Sequence, residues 1–198
     1  MTFGQRVARL TTDIAVRFPS LWRLLRPLMR RQFDRLAPTW DARRTPEAFA
    51  TVEAALETLD APPRHVLDLG TGTGRIAQIV ARRFPEADVV GVDLSPKMIE
   101  VARERVPEAR FEVADGQRLP YPDGAFDFVT LGNVIPFFDE LARVTAPAGR
   151  VLFSFSLGER TPIYVPEETL RRELGSRGFA EFATFSAGGG TALLARKR

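Results

Sequence analysis

The 198-residue sequence predicts an α/β protein built on a doubly wound, seven-stranded, mostly parallel sheet. Three observations carry that expectation. Short apolar runs near 64–69, 88–93, 109–114, 125–132 and 149–156 alternate with helical stretches starting near Gly74, Ser95, Pro136 and Pro166. The first of these runs, Val66-Leu67-Asp68-Leu69, breaks into Gly70-Thr71-Gly72-Thr73-Gly74, a strand feeding a glycine turn and a helix. The chain then closes on two β-rich runs, 179–186 and 191–197, joined through Gly188-Gly189-Gly190, which predicts an antiparallel hairpin at the sheet edge.

Taken in order, the elements begin with helices. Trp22, Leu25, Met29, Phe33 and Leu36 recur at helical spacing, Leu21, Leu24 and Leu28 widen the stripe, and Arg23, Arg26 and Arg30 fall on the other side. Ser20 is the expected N-cap, and Pro27 should kink this helix or divide it in two. A further helix is expected over 46–59, ended by Pro62-Pro63. After the glycine turn, Ile76, Ala77, Ile79, Val80 and Phe84 mark the buried side of the next helix. No internal repeat and no second domain is visible; residues 1–60 are expected to form a helical cap or lid on a core of 61–198.

Composition narrows the function classes. An apolar share of 44% in 198 residues suits one ordinary core. Arginines interrupt every apolar stretch of the N-terminus, and no run approaches the roughly eighteen residues of a bilayer span, so neither a signal peptide nor a spanning helix is expected. With no cysteine there is no disulfide framework, thiolate metal site or cysteine nucleophile, and the single histidine, His65, stands at the entry to the first strand as a structural residue. The expectation is a cytoplasmic protein without a metal. Charge is uneven: residues 1–44 hold ten arginines against three acids, a net of +7 in a chain whose total is +3. Such a basic amphipathic segment could meet anionic lipid or an acidic partner, or simply pack on the sheet with its arginines solvated.

The site begins at the glycine turn. Asp93 ends the second strand about twenty residues later, where folds of this kind place the acid that binds ribose hydroxyls. The spacing here is G-x-G-x-G rather than the dinucleotide G-x-G-x-x-G, and Asp68 stands two residues before the first glycine. A carboxylate there repels a pyrophosphate and attracts the ammonium of an amino acid, which favours a zwitterionic, phosphate-free cofactor.

With these features in place, the chain from about Phe33 onward resembles the class I S-adenosylmethionine (SAM)-dependent methyltransferases, in particular the small single-domain group called type 11. The resemblance rests on Val66 to Gly74, on Val90-Gly91-Val92-Asp93-Leu94-Ser95-Pro96-Lys97-Met98, on Phe111 to Asp127 with its Ala114-Asp115-Gly116-Gln117-Arg118-Leu119-Pro120 core, and on Ala146-Pro147-Ala148-Gly149-Arg150, where Ala148 replaces a usual glycine. It implies a Rossmann-like methyltransferase fold with SAM as cofactor. It further implies that Gly70, Gly72 and Gly74 let backbone approach the methionine part, with Asp68 near its amino group. Asp93 would accept from the ribose hydroxyls, Leu94 and Met98 would flank the adenine, and Asp115 would accept from its amino group beside Gly116 or Gln117. Each acid could instead cap a helix, and Met98 could be core. The segment Phe33 to Asp41 resembles the entrance of quinone-type methyltransferases, with Trp40 in place of a tyrosine as a lid over substrate or cofactor.

The acceptor side is less explicit. After the fourth strand come Asn133, Val134, Ile135, Pro136, Phe137 and Phe138, without the histidines of many relatives and without an Asn-Pro-Pro-aromatic signature. Asn133, Phe137 and Tyr164 are the expected substrate contacts with Trp40, whereas Asp139 and Glu140 are expected to be solvated helix residues. No catalytic base is assigned. The expected activity is methyl transfer to a small-molecule or lipid-like acceptor, driven mainly by proximity and alignment. An RNA methyltransferase, suggested by the basic N-terminus and Arg196-Lys197-Arg198, and a non-catalytic SAM-binding or membrane-associated partner protein are the alternatives, and oligomeric state is left open.

Overall fold

The structure, a computed structural model, describes residues 3–43 and 45–198. Met1, Thr2 and Arg44, counted in the N-terminal segment above, lie outside the described residues. Helices α1 (Phe3–Arg17), α2 (Trp22–Leu36) and α3 (Ala50–Glu57) precede β1 (His65–Leu69). Then follow α4 (Arg75–Arg83), β2 (Asp88–Asp93), α5 (Pro96–Arg105), β3 (Arg110–Val113), β4 (Phe126–Gly132), α6 (Phe138–Val144), β5 (Thr145–Phe155), α7 (Glu167–Gly175), β6 (Phe179–Ala187) and β7 (Gly190–Lys197).

The seven strands form one sheet in the order β3-β2-β1-β4-β5-β7-β6. The first five run parallel; β7 lies antiparallel to both β5 and β6. Because β1 is flanked by β2 on one side and β4 on the other, the winding reverses there, and the strand ends at that reversal leave a crevice.

Alternation along the strands sends side chains to two cores. On one face Leu67, Val129 and Phe153 pack with Leu141 of α6 and Leu170 and Leu174 of α7. On the other, Val66, Val89, Phe128 and Leu152 meet Val52 and Leu56 of α3, Val80 of α4 and Ile99 of α5. Both faces are covered, which is why the parallel strands are apolar at successive residues. A third cluster, Ala15, Trp22 and Met29 with Ile135 and Phe137, fixes the N-terminal helices over the exit of β4.

Several local expectations need correction. Ser20 is not an N-cap: it sits in a 3-10 turn over Pro19–Leu21, and α2 starts at Trp22 without a side-chain cap. Of the two outcomes expected at Pro27, division of the helix is excluded: α2 is continuous through it, because the Arg23 carbonyl that loses its donor is on an exposed part of the helix and water can satisfy it. The stretch expected as one helix over 46–59 opens as a 3-10 turn, Pro46–Phe49, before α3. Strand β5 begins at Thr145, where it pairs with Phe126 before the register shifts, and Ala148 adopts φ of 61°, the left-handed conformation its missing glycine would take without strain. At the far edge, Gly188 in the β6–β7 turn lies so close to the 3-10 turn that a Cβ would overlap the Glu47 carbonyl oxygen.

Gly91 in β2 faces the Phe111 ring, which a Cβ would overlap, and Thr71 Oγ1, 2.9 Å away. Gly175, at the end of α7, faces open space. Thermal denaturation should therefore show Gly91→Ala destabilised by about 1–3 kcal/mol, and Gly175→Ala unchanged or stabilised by up to about 1 kcal/mol.

Candidate functional site

The glycine turn is built around one buried carboxylate. Asp68 is 1% exposed at the centre of the sheet. Its Oδ2 accepts from Thr71 Oγ1 at 2.6 Å and from the Ala77 amide at 3.1 Å, and its Oδ1 from Thr130 Oγ1 at 2.8 Å. Burial pushes its pKa up, against the pull of these three donors. Asp68 thus lines the cavity while its acceptor oxygens serve the turn, the first turns of α4 and the neighbouring strand β4.

The turn itself requires glycine. Gly70 has φ of +67° and a Cβ there would overlap Val134; Gly74 caps α4 at φ of +80°, with Ala102 Cβ of α5 3.1 Å from where its own Cβ would be. Two bonds tie the turn to β2: Thr71 N donates to Val92 O at 2.9 Å, and Gly72 N donates to Asp93 Oδ2 at 2.9 Å. Asp93 Oδ1 accepts from Ser95 N at 2.8 Å. Burial raises Asp93 to about 6, opposed by those backbone donors. Ser95 caps α5, accepting from Met98 N at 3.2 Å with Pro96 at the first helical position.

These elements form one wall of a cavity at the winding reversal. Leu94, Met98 and Gly116 continue that wall, with Met98 1% exposed. The opposite wall is largely apolar: Trp22, Met29, Phe33 and Trp40 from the N-terminal segment, Ile135 and Phe137 after β4, and Ile163. Trp22 packs on Phe137 with ring centres 5.4 Å apart, and Phe33 meets Trp40 edge-on at 5.7 Å. Asp68, Asp93 and Arg75 are the charged residues among the cavity's described lining. Arg75 Nε is buried without a hydrogen bond and lies 3.6 Å from Asp41 Oδ1. No cluster of His, Asp or Glu among the described residues could hold a metal ion.

Other expected site residues are engaged differently. Asp115 lies beside the cavity, in an adjoining groove. Its Oδ1 accepts from Trp22 Nε1 at 2.8 Å and Gln117 N at 3.0 Å, and its Oδ2 from Arg26 at 2.9 Å. The Gln117 side chain donates to Pro19 O at 2.7 Å. Asn133, at φ of 56°, lines the cavity but spends its amide on Ser156, accepting from its backbone N and donating to its Oγ, both at 3.0 Å.

Tyr164 is not a cavity wall: it packs on Phe155 at 4.9 Å with the Arg9 guanidinium 5.3 Å from its ring centre, and its neighbour Ile163 faces the cavity instead. Phe138 likewise turns into the core beside Phe153. Glu140 is no solvated helix residue; it accepts from the Leu119 amide and pairs with Arg143.

Trp22, Asp34, Asp41 and Arg75 were not singled out by sequence reasoning for the site. Asp34 Oδ1 accepts from Ser95 Oγ at 2.6 Å; Asp41 accepts from Thr73 Oγ1 at 2.9 Å and pairs with Arg105. For Asp34 and Asp41 the available signal was the Phe33 to Asp41 segment, where each acid directly follows a residue that lines the cavity.

Residues 66–153 match the family described as "Methyltransferase domain". A demethylmenaquinone methyltransferase of Thermus thermophilus is 38% identical over 139 residues, covering 61% of this chain and 62% of that protein. A malonyl-[acyl-carrier protein] O-methyltransferase of Halorhodospira halophila is 38% identical over 141 residues, covering 65% of this chain and 48% of that one. The chain thus spans about half to three fifths of the length of these relatives. A SAM-dependent methyltransferase from Aquifex aeolicus superposes with a TM-score of 0.67 at 18% identity, covering 83% of this chain and 98% of its own, which shows a shared fold. Residues 66–153 are thus similar to a methyltransferase domain, and the seven-stranded Rossmann-like sheet that carries them is shared with that solved structure.

Proposed function

We propose that the cavity binds SAM and that the protein transfers its methyl group to a small-molecule or lipid-like acceptor held against the aromatic wall. The observation that carries this reading is the meeting of the glycine turn with Asp93 at one cavity wall, with Gly72 N 2.9 Å from the carboxylate. A ribose fits there because both its hydroxyls can donate to Asp93, and backbone without side chains leaves room for the methionine part. Arg75 supplies a cation for the methionine carboxylate, and Asp68 lies on the wall where the ammonium would sit. Leu94 and Met98 offer apolar contact to the adenine. Its amino group would share Asp115 with Trp22 and Arg26, or replace the indole there.

The acceptor wall contains no histidine, lysine or cysteine among its described lining, so no side chain there is a ready base. Transfer then rests on alignment: an acceptor lone pair attacks the methyl carbon, the carbon–sulfur bond breaks, and its electron pair stays on sulfur as a neutral thioether. Any acceptor proton leaves to water. The Trp22, Phe33, Trp40, Ile135 and Phe137 surface favours an apolar acceptor, in line with the quinone and acyl substrates in the relatives' names.

Calorimetry with S-adenosylhomocysteine tests the site. The protein should bind it, and Asp93→Ala should weaken binding by on the order of tenfold or more; no binding by the unaltered protein would overturn the reading. Because burial raises Asp93 to about 6, the protonated, poorly accepting form dominates below that pH and the ionised form above it. Affinity should therefore fall about tenfold between about pH 7 and pH 5, and Asp93→Asn should flatten that dependence. Arg75→Gln should weaken S-adenosylhomocysteine by on the order of tenfold while leaving adenosine, which has no carboxylate, unaffected. Radiolabelled methyl transfer to quinols and acyl thioesters then identifies the acceptor class.

A further inference from the structure

The N-terminal segment has two apolar faces, and only one is used by the fold. The inner side of α2 puts Trp22 and Met29 into the protein, with Leu25 and Phe33 partly covered. On the outer side Leu21, Leu24 and Leu28 recur at helical spacing, and Leu24 is 77% and Leu28 61% exposed. At the corner between α1 and α2 Phe18 is 58% exposed. Of the eight large apolar side chains exposed among the described residues, six belong to α1, α2 and their corner. Scattered exposed leucines are ordinary; a concentration of this kind on one segment marks a contact surface.

Charge identifies the occupant. Arg17, Arg23, Arg30, Arg31 and Arg35 are exposed in the same segment, whereas Asp13 is its one exposed acid among residues whose side chains are described before Asp41. Arg26, Arg30 and Arg31 also line the groove beside Asp115, with Val113 exposed at its edge. Two copies of this face pressed together would bring arginines against arginines as water left the interface, a costly arrangement. An anionic bilayer satisfies both components: the leucines enter the boundary between headgroups and acyl chains, and the arginine stems snorkel to lipid phosphates.

We propose that the outer face of α2, with the α1–α2 corner, docks the protein on the surface of an anionic lipid bilayer. The helix lies in the interface and does not span it; no helix among the described residues is long and apolar enough to cross a membrane. Docked in this way, the protein holds the inner side of the same helix, which lines the cavity, next to the acyl layer. That last consequence rests on the lipid-like acceptor of the preceding reading; the docking itself does not.

Co-sedimentation with vesicles tests it, using the full chain, phosphatidylcholine alone and phosphatidylcholine with about one third phosphatidylglycerol. Binding should require the anionic lipid and weaken as salt is raised from about 0.1 M to about 0.5 M. The double variant Leu24→Ser/Leu28→Ser, and separately Arg23→Glu/Arg35→Glu, should reduce vesicle binding by on the order of tenfold. Both should keep the melting temperature and S-adenosylhomocysteine affinity of the parent, because the altered side chains are exposed. No binding to anionic vesicles, or undiminished binding by both variants, overturns the proposal. A dimer in light scattering that Leu24→Ser/Leu28→Ser dissolves also overturns it, assigning the face to a second copy. Loss of S-adenosylhomocysteine binding in the unaltered protein would instead strike the cofactor reading and leave the docking result standing.

Discussion

A carboxylate sealed inside a sheet is expensive unless donors surround it, and Asp68 is surrounded by donors from three elements. Thr71 belongs to the glycine turn, Ala77 to α4 and Thr130 to the adjacent strand, so the single charge-bearing group fixes strand, turn, helix and neighbour together. Removing any one donor leaves a buried acceptor short of a partner, at a cost of about 1–3 kcal/mol. The shape of the cavity follows from this. With the turn held down by Asp68 and drawn to β2 by Asp93, the bare backbone of Gly70 and Gly72 is presented to the crevice rather than folded over it.

The N-terminal helices are fastened to the same region by polar contacts at three levels. Trp22 and Arg26 reach Asp115, Asp34 reaches the Ser95 cap, and Asp41 joins Thr73 with Arg105. Asp115, Ser95 and Thr73 each lie at the end of a strand or the start of a helix that borders the cavity, so the segment forms a wall of the site as well as a cover for the sheet. The amphipathic pattern read as one stripe in the sequence is divided between these two surroundings: Trp22 and Met29 face protein, Leu24 and Leu28 face outward.

What the sequence made legible was local. The strand ending at Leu69, the turn, Asp93 and the Ser95 cap lie within thirty residues, and their spacing specifies their relation. Bonds that join distant residues left no comparable trace. Thr130 meets Asp68 across 62 positions, and Trp22 meets Asp115 across 93. A loop also hides which of two neighbours turns inward, so Tyr164 was favoured where Ile163 is the cavity residue. Glu140 shows the general rule of exposed acids yielding to specific partners, the Leu119 amide and Arg143. Pro27 shows the reverse case, a strong local signal that does not divide the helix, because the bond it removes lies on an exposed part of it.

The contact between Gly188 and Glu47 extends this logic to the far end of the chain. Glu47 stands beside Ala48 and Phe49, which line the cavity, and the hairpin tip is pressed directly against its carbonyl. The last hairpin therefore braces the segment that lines the cavity. A side chain larger than hydrogen at Gly188 has to displace the Glu47 backbone, and the cavity residues next to it, although the hairpin tip itself lines no part of the cavity.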